Sequence, residues 1–197
     1  ADQAPPLDKL LTLIASDDRF EAWAARRILE RMSVDEWRDK VLQSKNIRVL
    51  IHGGLALMIA QPSRDDGIAL LEQVSRVMTT FVSDRDFVDL LRLTEVTLSR
   101  GKIAPEEVPG LRRQLADEFP SGDPLMNREL IRLLAYLQES SIIDRFLAYL
   151  KSDAPEVERL HLAMYLRFIE TGWTPAQRLD VLEFYEDANK HKGGGSY

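Results

Sequence analysis

Apolar residues recur along most of the chain at the spacing of an α-helix. In residues 130–137, leucines at i, i+3, i+4 and i+7 lie on one helical face. No segment alternates between apolar and polar residues for long enough to predict a strand. The pattern predicts about ten to eleven helices, at residues 7–15, 18–32, 34–43, 47–60, 64–79, 84–99, 105–118, 124–138, 142–151, 155–170 and 175–189. We therefore predict an all-α fold.

Capping residues, prolines and glycines mark the ends of these helices. Side chains that can accept a hydrogen bond from the first turn lie at four predicted N-cap positions: Ser33, Asp84, Asp123 and Thr174. Prolines, which suit a first turn because its N–H groups have no partner in the helix, lie near four predicted starts: Pro105, Pro124, Pro155 and Pro175. Gly101 and Gly172 follow predicted helices as C-terminal stops.

A helical unit repeats along the chain. Residues 7–17 match residues 143–153 in position and character, and each copy is a short helix that ends in Ser-Asp. A longer helix with alanine near its middle follows each copy, as at Ala163, and residues 47–60 and 123–137 repeat that longer pattern. Units that bury their apolar faces only against neighbours form repeat arrays. We therefore predict an α-solenoid of HEAT-like antiparallel helical hairpins, wound as a right-handed superhelix.

We expect one α-helical repeat domain over residues 1–192 and a glycine-rich linker or tail over residues 193–197. The chain begins at Ala1 rather than at Met and ends on this linker-like segment, which suggests a portion of a longer protein. The longest uncharged apolar stretch, residues 49–60, is shorter than the roughly 20 residues that a membrane-spanning helix needs. We expect this stretch to be a buried helix and predict no membrane span.

Composition narrows the possible chemistry. The chain has 197 residues, is 45% hydrophobic and 29% charged, and carries a formal charge of −6. It contains no cysteine, which excludes disulfides, thiolate nucleophiles, cysteine-ligated metal clusters and covalent c-type haem attachment within these residues. The acidic balance counts against a general nucleic-acid binder, because such proteins usually carry a basic surface.

Two segments resemble a known group of proteins. Residues 127–137 read NRELIRLLAYL and residues 171–178 read TGWTPAQR, and Lys-Gly-Gly follows at 192–194. This combination is similar to a HEAT-like helical-repeat region in large exported bacterial multidomain proteins that carry c-type cytochrome (haem-binding) modules. The resemblance implies a structural module, a periplasmic or exported location, and a protein partner or sibling domain such as a c-type cytochrome module. The Cys-x-x-Cys-His motif of that cytochrome module is absent from this chain.

The histidines and glycines offer little chemistry. Glu158 and His161 have the spacing found in di-iron bundles, but such sites need a second copy, which the sequence lacks. We interpret His161 as a helix-face histidine beside a solvated glutamate, and His52 as a hydrogen-bonded core or groove residue. The pair Gly53-Gly54 indicates close approach of a neighbouring helix more than ligand contact. We predict no catalytic residues, no metal site and no cofactor.

Arginine and tryptophan supply the candidate binding residues. Arginine favours bidentate ion pairs and interfaces, so each helical arginine either pairs with an acidic residue of the array or joins a partner-binding row. Tryptophans are either half-buried packing residues or interface anchors. The candidates for partner binding are Arg128, Arg132, Arg159 and Trp173.

These observations favour a non-catalytic helical-repeat scaffold or protein-interaction module. The alternative is a HEAT-like DNA-binding protein or DNA-repair glycosylase, a class that uses a basic concave face with tryptophan, aspartate and arginine. The net charge of −6 disfavours this alternative, although a local row of arginines is compatible with that average.

Overall fold

Every regular element in the described part of the chain is helical. The computed structural model describes residues 5–190, so His191 and the predicted tail at 193–197 lie outside the described residues. Eleven α-helices lie within residues 5–190: α1 (Leu7–Ile14), α2 (Arg19–Leu29), α3 (Arg38–Leu42), α4 (Ile47–Ala60), α5 (Arg64–Met78), α6 (Asp84–Gly101), α7 (Pro109–Asp117), α8 (Pro124–Tyr136), α9 (Ile143–Leu150), α10 (Glu156–Leu166) and α11 (Pro175–Lys190). The predicted all-α fold is confirmed.

Two predicted helices are interrupted. A 3₁₀ turn at Val34–Glu36 precedes α3, and another at Pro105–Glu107 precedes α7. Pro109 begins α7, and because proline has no N–H, a helix from residue 105 cannot continue through it unbroken. At the first site, Trp37 leaves helical geometry with φ of −129°.

The capping predictions hold at two starts and fail at two: Ser33 precedes the 3₁₀ turn and its side chain makes no capping hydrogen bond. Asp123 accepts a hydrogen bond from the Leu125 N–H (2.7 Å), and the Thr174 hydroxyl accepts one from the Gln177 N–H (3.3 Å). Ser83, not Asp84, caps α6, because its hydroxyl accepts from the Asp86 N–H.

The glycine stops differ from each other. Gly101 is the last residue of α6, and Lys102 takes the left-handed position after it (φ 51°). Gly172 has φ of +85°, but it lies in the loop that leads to α11, several residues beyond the end of α10 at Leu166. Its positive φ suits glycine because a side chain is strained there.

Residues 5–111 of the chain belong to one compact unit. Helices α1 and α2 pack together, α2 packs on α4, and α4 packs on α6, while α3 lies against α4 and α5 lies against α4 and α6. Four fully buried leucines form the centre of its core: Leu50, Leu57, Leu70 and Leu90. Helices α2, α4 and α6 are therefore neighbours within this unit.

Gly53 and Gly54 lie where other helices approach α4. A Cβ at Gly53 would lie 2.6 Å from a methyl group of Val41, and one at Gly54 would lie 2.9 Å from a methyl group of Leu70. The interpretation of this pair as a close-approach site is confirmed.

Residues 112–190 belong to the second compact unit. Helix α8 packs on α10, and α9 packs on both α10 and α11. The core includes the fully buried Leu130, Leu134 and Leu162, and the rings of Phe119 and Phe146 meet edge to face at 4.8 Å. This division into two compact units does not by itself test the expected single repeat domain over residues 1–192, which stays a prediction.

No helix within residues 5–190 combines the length and the apolar character needed to cross a bilayer.

Candidate functional site

A groove opens between α2, α4 and α6 in the first unit. The side chain of Asp18 accepts from the N–H groups of Phe20 and Glu21 and so fixes the start of α2. From that start, Arg19, Phe20, Trp23 and Arg26 follow at positions i, i+1, i+4 and i+7 of one helical face. They form one wall of the groove.

The other walls come from α4 and α6 with the same spacing. Arg48 and His52 are four residues apart on α4, and Arg85 and Asp89 are four residues apart on α6. Residues so spaced lie on the same face of a helix, and all four side chains line the cavity, whose volume is 550 Å³. An adjoining cavity of 240 Å³ shares His52 and Asp89 with it and extends along α4 and α6.

Two large aromatic side chains stand exposed at this groove. Phe20 is 67% exposed and Trp23 is 56% exposed. The guanidinium of Arg19 lies 4.7 Å above the centre of the Phe20 ring, a cation–π arrangement. The groove thus offers apolar ring faces beside positive charge.

The four arginines of the groove differ in how they are paired. Arg48 forms an ion pair with Asp86 (2.7 Å between Nε and Oδ1), and Arg26 lies 3.3 Å from Glu30. Arg85 forms no ion pair within residues 5–190, and Arg19 contacts only the Phe20 ring there. Two of the four positive charges are therefore without an acidic partner in the described chain.

His52 lies half-buried in this positive surrounding. Burial lowers the pKa of His52, and the nearby guanidinium groups of Arg26, Arg48 and Arg85 lower it further, while Asp89 opposes them. The imidazole is therefore neutral near pH 7 and can donate one hydrogen bond and accept another. The prediction of a core or groove position for His52 is confirmed.

In the second unit, Arg128 and Arg132 lie on the face that α8 presents beside α10. Arg128 forms a two-pronged pair with Glu158, with 2.9 Å between its Nε and Oε2, and Arg132 pairs with Glu129 on its own helix. The hydrogen bond from Arg128 holds the pKa of Glu158 below its usual range. Glu158 is only 5% exposed, so the prediction of a solvated glutamate beside His161 is wrong.

Arg159 and Trp173 lie elsewhere in the second unit. Arg159 lines a cavity with residues of α9 and α11 and donates to the Leu150 carbonyl (3.4 Å). The Trp173 indole donates to the Ile169 carbonyl (2.7 Å), a hydrogen bond within the loop between α10 and α11. The structure thus places Arg128 and Arg132 together and separates them from Arg159 and Trp173.

Helix α10 presents an apolar face to solvent. Val157, Leu160 and Met164 lie at i, i+3 and i+7 and are 59%, 38% and 58% exposed, and Phe168 in the following turn is 50% exposed. The opposite face of α10 is buried through Leu162 and Leu166. Apolar side chains exposed together on one helical face mark an interaction surface.

The groove of the first unit was not predicted from the sequence. The spacing within each helix was visible, as in Arg48 with His52 and Arg85 with Asp89. The spacing within each helix does not show that α2, α4 and α6 lie side by side. Among residues 5–190, no cluster of three or more histidine, aspartate or glutamate side chains is placed to hold a metal ion.

Comparison with protein families, with curated proteins and with solved structures finds no match for the chain.

Proposed function

We propose that the chain is a non-catalytic helical-repeat module that acts as a scaffold by binding a protein or a neighbouring domain. The observation that carries this proposal is the exposed apolar face of α10, formed by Val157, Leu160 and Met164. When a partner covers exposed apolar side chains, their surface is removed from water, which lowers the free energy and favours binding. The proposal of a non-catalytic role rests on the sequence, which offers no reaction motif.

The proposed architecture is a stack of HEAT-like antiparallel hairpins in an α-solenoid with a right-handed superhelical twist. In support, a helix packs on the next helix but one in each unit: α4 packs on α6 in the first unit, and α8 packs on α10 in the second. An arginine–carboxylate pair joins each of these helix pairs near their first turns: Arg48 with Asp86, and Arg128 with Glu158. A contact that recurs at equivalent places is what stacked repeats produce.

The proposed setting is a larger exported protein, with a c-type cytochrome module as one candidate partner. This part rests on the resemblance of residues 127–137 and 171–178. Those residues lie in α8, in the loop that Trp173 braces and at the start of α11, so their roles in the fold are compatible with a structural motif.

The binding proposal is tested by measuring affinity for each neighbouring domain encoded in the same gene. The chain is titrated with each purified domain by calorimetry, in its native form and as Met164→Glu. We expect one domain to bind and Met164→Glu to weaken that binding about tenfold or more, because a buried charge at a central apolar contact costs more than 1.4 kcal/mol.

The matched control is Leu179→Glu, which changes an exposed leucine of α11 outside the α10 face (56% exposed). We expect this variant to bind as the native chain does. Failure of every neighbouring domain to bind, or equal loss in both variants, would contradict the proposal.

The alternative of a DNA-binding or DNA-repair module is favoured by one observation, the groove that combines arginines with Trp23 and Asp89. The formal charge of −6 and the carboxylates on Arg26 and Arg48 count against it. A gel-shift assay with duplex DNA at low salt decides this point, and absence of any shift eliminates the alternative.

A further inference from the structure

We infer that the groove between α2, α4 and α6 binds an extended acidic segment of a partner protein. Its carboxylates would pair with Arg19 and Arg85, and its apolar side chains would lie on Phe20 and Trp23. This inference rests on the proposed function, a protein-binding module, and it names the chemistry of the partner at a second surface.

The aromatic side chains supply the apolar half of the argument. Phe20 and Trp23 are both more than half exposed, although each could bury a large area. Tryptophan and arginine are the residues that most often carry binding energy at protein interfaces. Both kinds line this cavity of 550 Å³, which has the volume of a ligand site.

Charge complementarity supplies the other half. Arg26 and Arg48 already pair with Glu30 and Asp86. They therefore add positive charge to the surroundings of the groove but are not the arginines that would pair directly with a partner. Arg19 and Arg85 form no ion pair in residues 5–190, and both are exposed at the groove. An arginine that meets a carboxylate forms short charge-assisted hydrogen bonds, so two such arginines favour a segment with two carboxylates.

The width of the groove sets the length of the segment. Packed helices lie about 8–10 Å apart, so three neighbours span roughly 20 Å from axis to axis. An extended chain advances about 3.3 Å per residue, so about six to eight residues cross the three helices. Every second side chain of such a segment points to the groove, so the residues at positions i, i+2, i+4 and i+6 must include both acidic and apolar side chains.

A protein segment fits the groove better than a nucleic acid does. Asp89 lies in the lining and Glu30 and Asp86 lie next to it, so the groove has no continuous positive surface along which a phosphate backbone could run. Nucleic-acid binding needs an extended net positive surface. Here the positive charge without acidic partners is confined to two arginines beside two aromatic rings.

The probe is a synthetic peptide of about eight residues in which every second residue is, in turn, glutamate, leucine, phenylalanine and glutamate, with serine at the positions between them. Matched peptides carry glutamine or lysine in place of glutamate, and a single-stranded oligonucleotide of similar length serves as the nucleic-acid probe. Binding is measured by calorimetry. We expect the glutamate peptide to bind at least tenfold more tightly than the other three probes.

Variants assign the binding to the groove. Arg19→Gln and Arg85→Gln each weaken binding of the glutamate peptide about five- to tenfold, and Trp23→Ala weakens it about tenfold. These side chains are exposed, so the variants are expected to fold, which circular dichroism checks. Arg31→Gln, at an exposed arginine outside the groove, is the control and binds as the native chain does.

A second readout is the titration of His52 followed by NMR. The groups that face His52 are Arg26, Arg48, Arg85 and Asp89. A bound carboxylate offsets the positive charges that lower the pKa of His52, so we expect the peptide to raise that pKa. Because of this linkage, the peptide should bind more tightly as the pH falls. A role confined to folding would leave this titration unchanged by peptide.

Several results overturn the inference. They are equal binding of the glutamine or lysine peptide, an unchanged His52 titration at saturation, or tightest binding of the oligonucleotide. The two proposals fail separately: binding of a neighbouring domain that depends on Met164 but not on Arg19 or Arg85 leaves the proposed function intact and removes only the groove proposal.

Discussion

Individual arginines of this chain have different roles. Arg128 is committed to Glu158 thirty residues away, whereas Arg19 and Arg85 face an open groove. In the sequence, an arginine that forms an ion pair and an arginine that faces a groove both appear only as arginines on predicted helices. Which arginine meets a carboxylate depends on the neighbouring helix, and this is why the sequence left ion pairing and partner binding as alternatives.

The Arg128–Glu158 pair makes stability depend on pH. The pKa of Glu158 is lowered in the folded chain, so its contribution is present above the unfolded pKa and is lost as the pH falls through the folded value. We expect Glu158→Gln to lower the free energy of unfolding near pH 7 by about 1 kcal/mol, a modest cost because water reaches the arginine side of the pair.

The measurement is urea unfolding followed by circular dichroism near pH 7 and at several pH values below about 4, where glutamate protonates. The difference between native chain and variant should shrink across the acidic range. Glu170→Gln, at an exposed glutamate of the same unit, is the control and should change little at any pH. A difference independent of pH would show that the charge of Glu158 does not stabilise the fold.

At the scale of elements, helix α4 shows what local sequence can and cannot convey. Its bounds, Ile47–Ala60, are those that the periodicity predicts, and Asn46 caps its start. Two glycines within it lower helix propensity by roughly 1 kcal/mol each, a cost that local sequence does not explain. Val41 and Leu70 explain it, because they occupy the space of the missing Cβ atoms.

Gly53→Ala should therefore destabilise the chain although alanine is the better helix former. Val41 is β-branched and its side chain cannot swing away easily, so overpacking of about 1–3 kcal/mol exceeds the gain in propensity. Thermal unfolding measures the effect, and we expect the double variant Gly53→Ala with Val41→Ala to lose the clash and show a non-additive result.

The control is Gly110→Ala in α7, where a Cβ would meet nothing within 4 Å. This substitution should be neutral or stabilise by up to about 1 kcal/mol. A stabilising effect of Gly53→Ala would show that α4 and α3 can separate without cost.

At the scale of the whole molecule, the chain contains two compact units, and each has its own buried leucines. The sequence predicted one array over residues 1–192 because the helical pattern continues without a composition shift. A boundary between units depends on which helices pack together, and helical periodicity alone does not report it.

We expect a fragment of residues 1–108, which ends before α7, to fold by itself. Trp37 is fully buried in this unit and Trp23 is exposed, so in a fragment that carries Trp23→Phe the fluorescence reports the packing around Trp37. Urea unfolding should give one cooperative transition with a loss of helical dichroism and a red shift of the emission.

The matched comparison is the same transition in the full chain. A fragment that lacks cooperative unfolding, or that exposes Trp37 in buffer, would favour the single domain that the sequence predicts over two units that fold separately.

The sequence by itself determined the all-α fold and most helix positions, because periodicity and capping are local properties of the chain. It also identified Gly53 and Gly54 as a close-approach site. Only the tertiary structure decided that α2, α4 and α6 bring Arg19, Trp23, His52 and Arg85 to one groove. Contacts between residues far apart in sequence arise from helix packing, and no single helix encodes which face its neighbours cover.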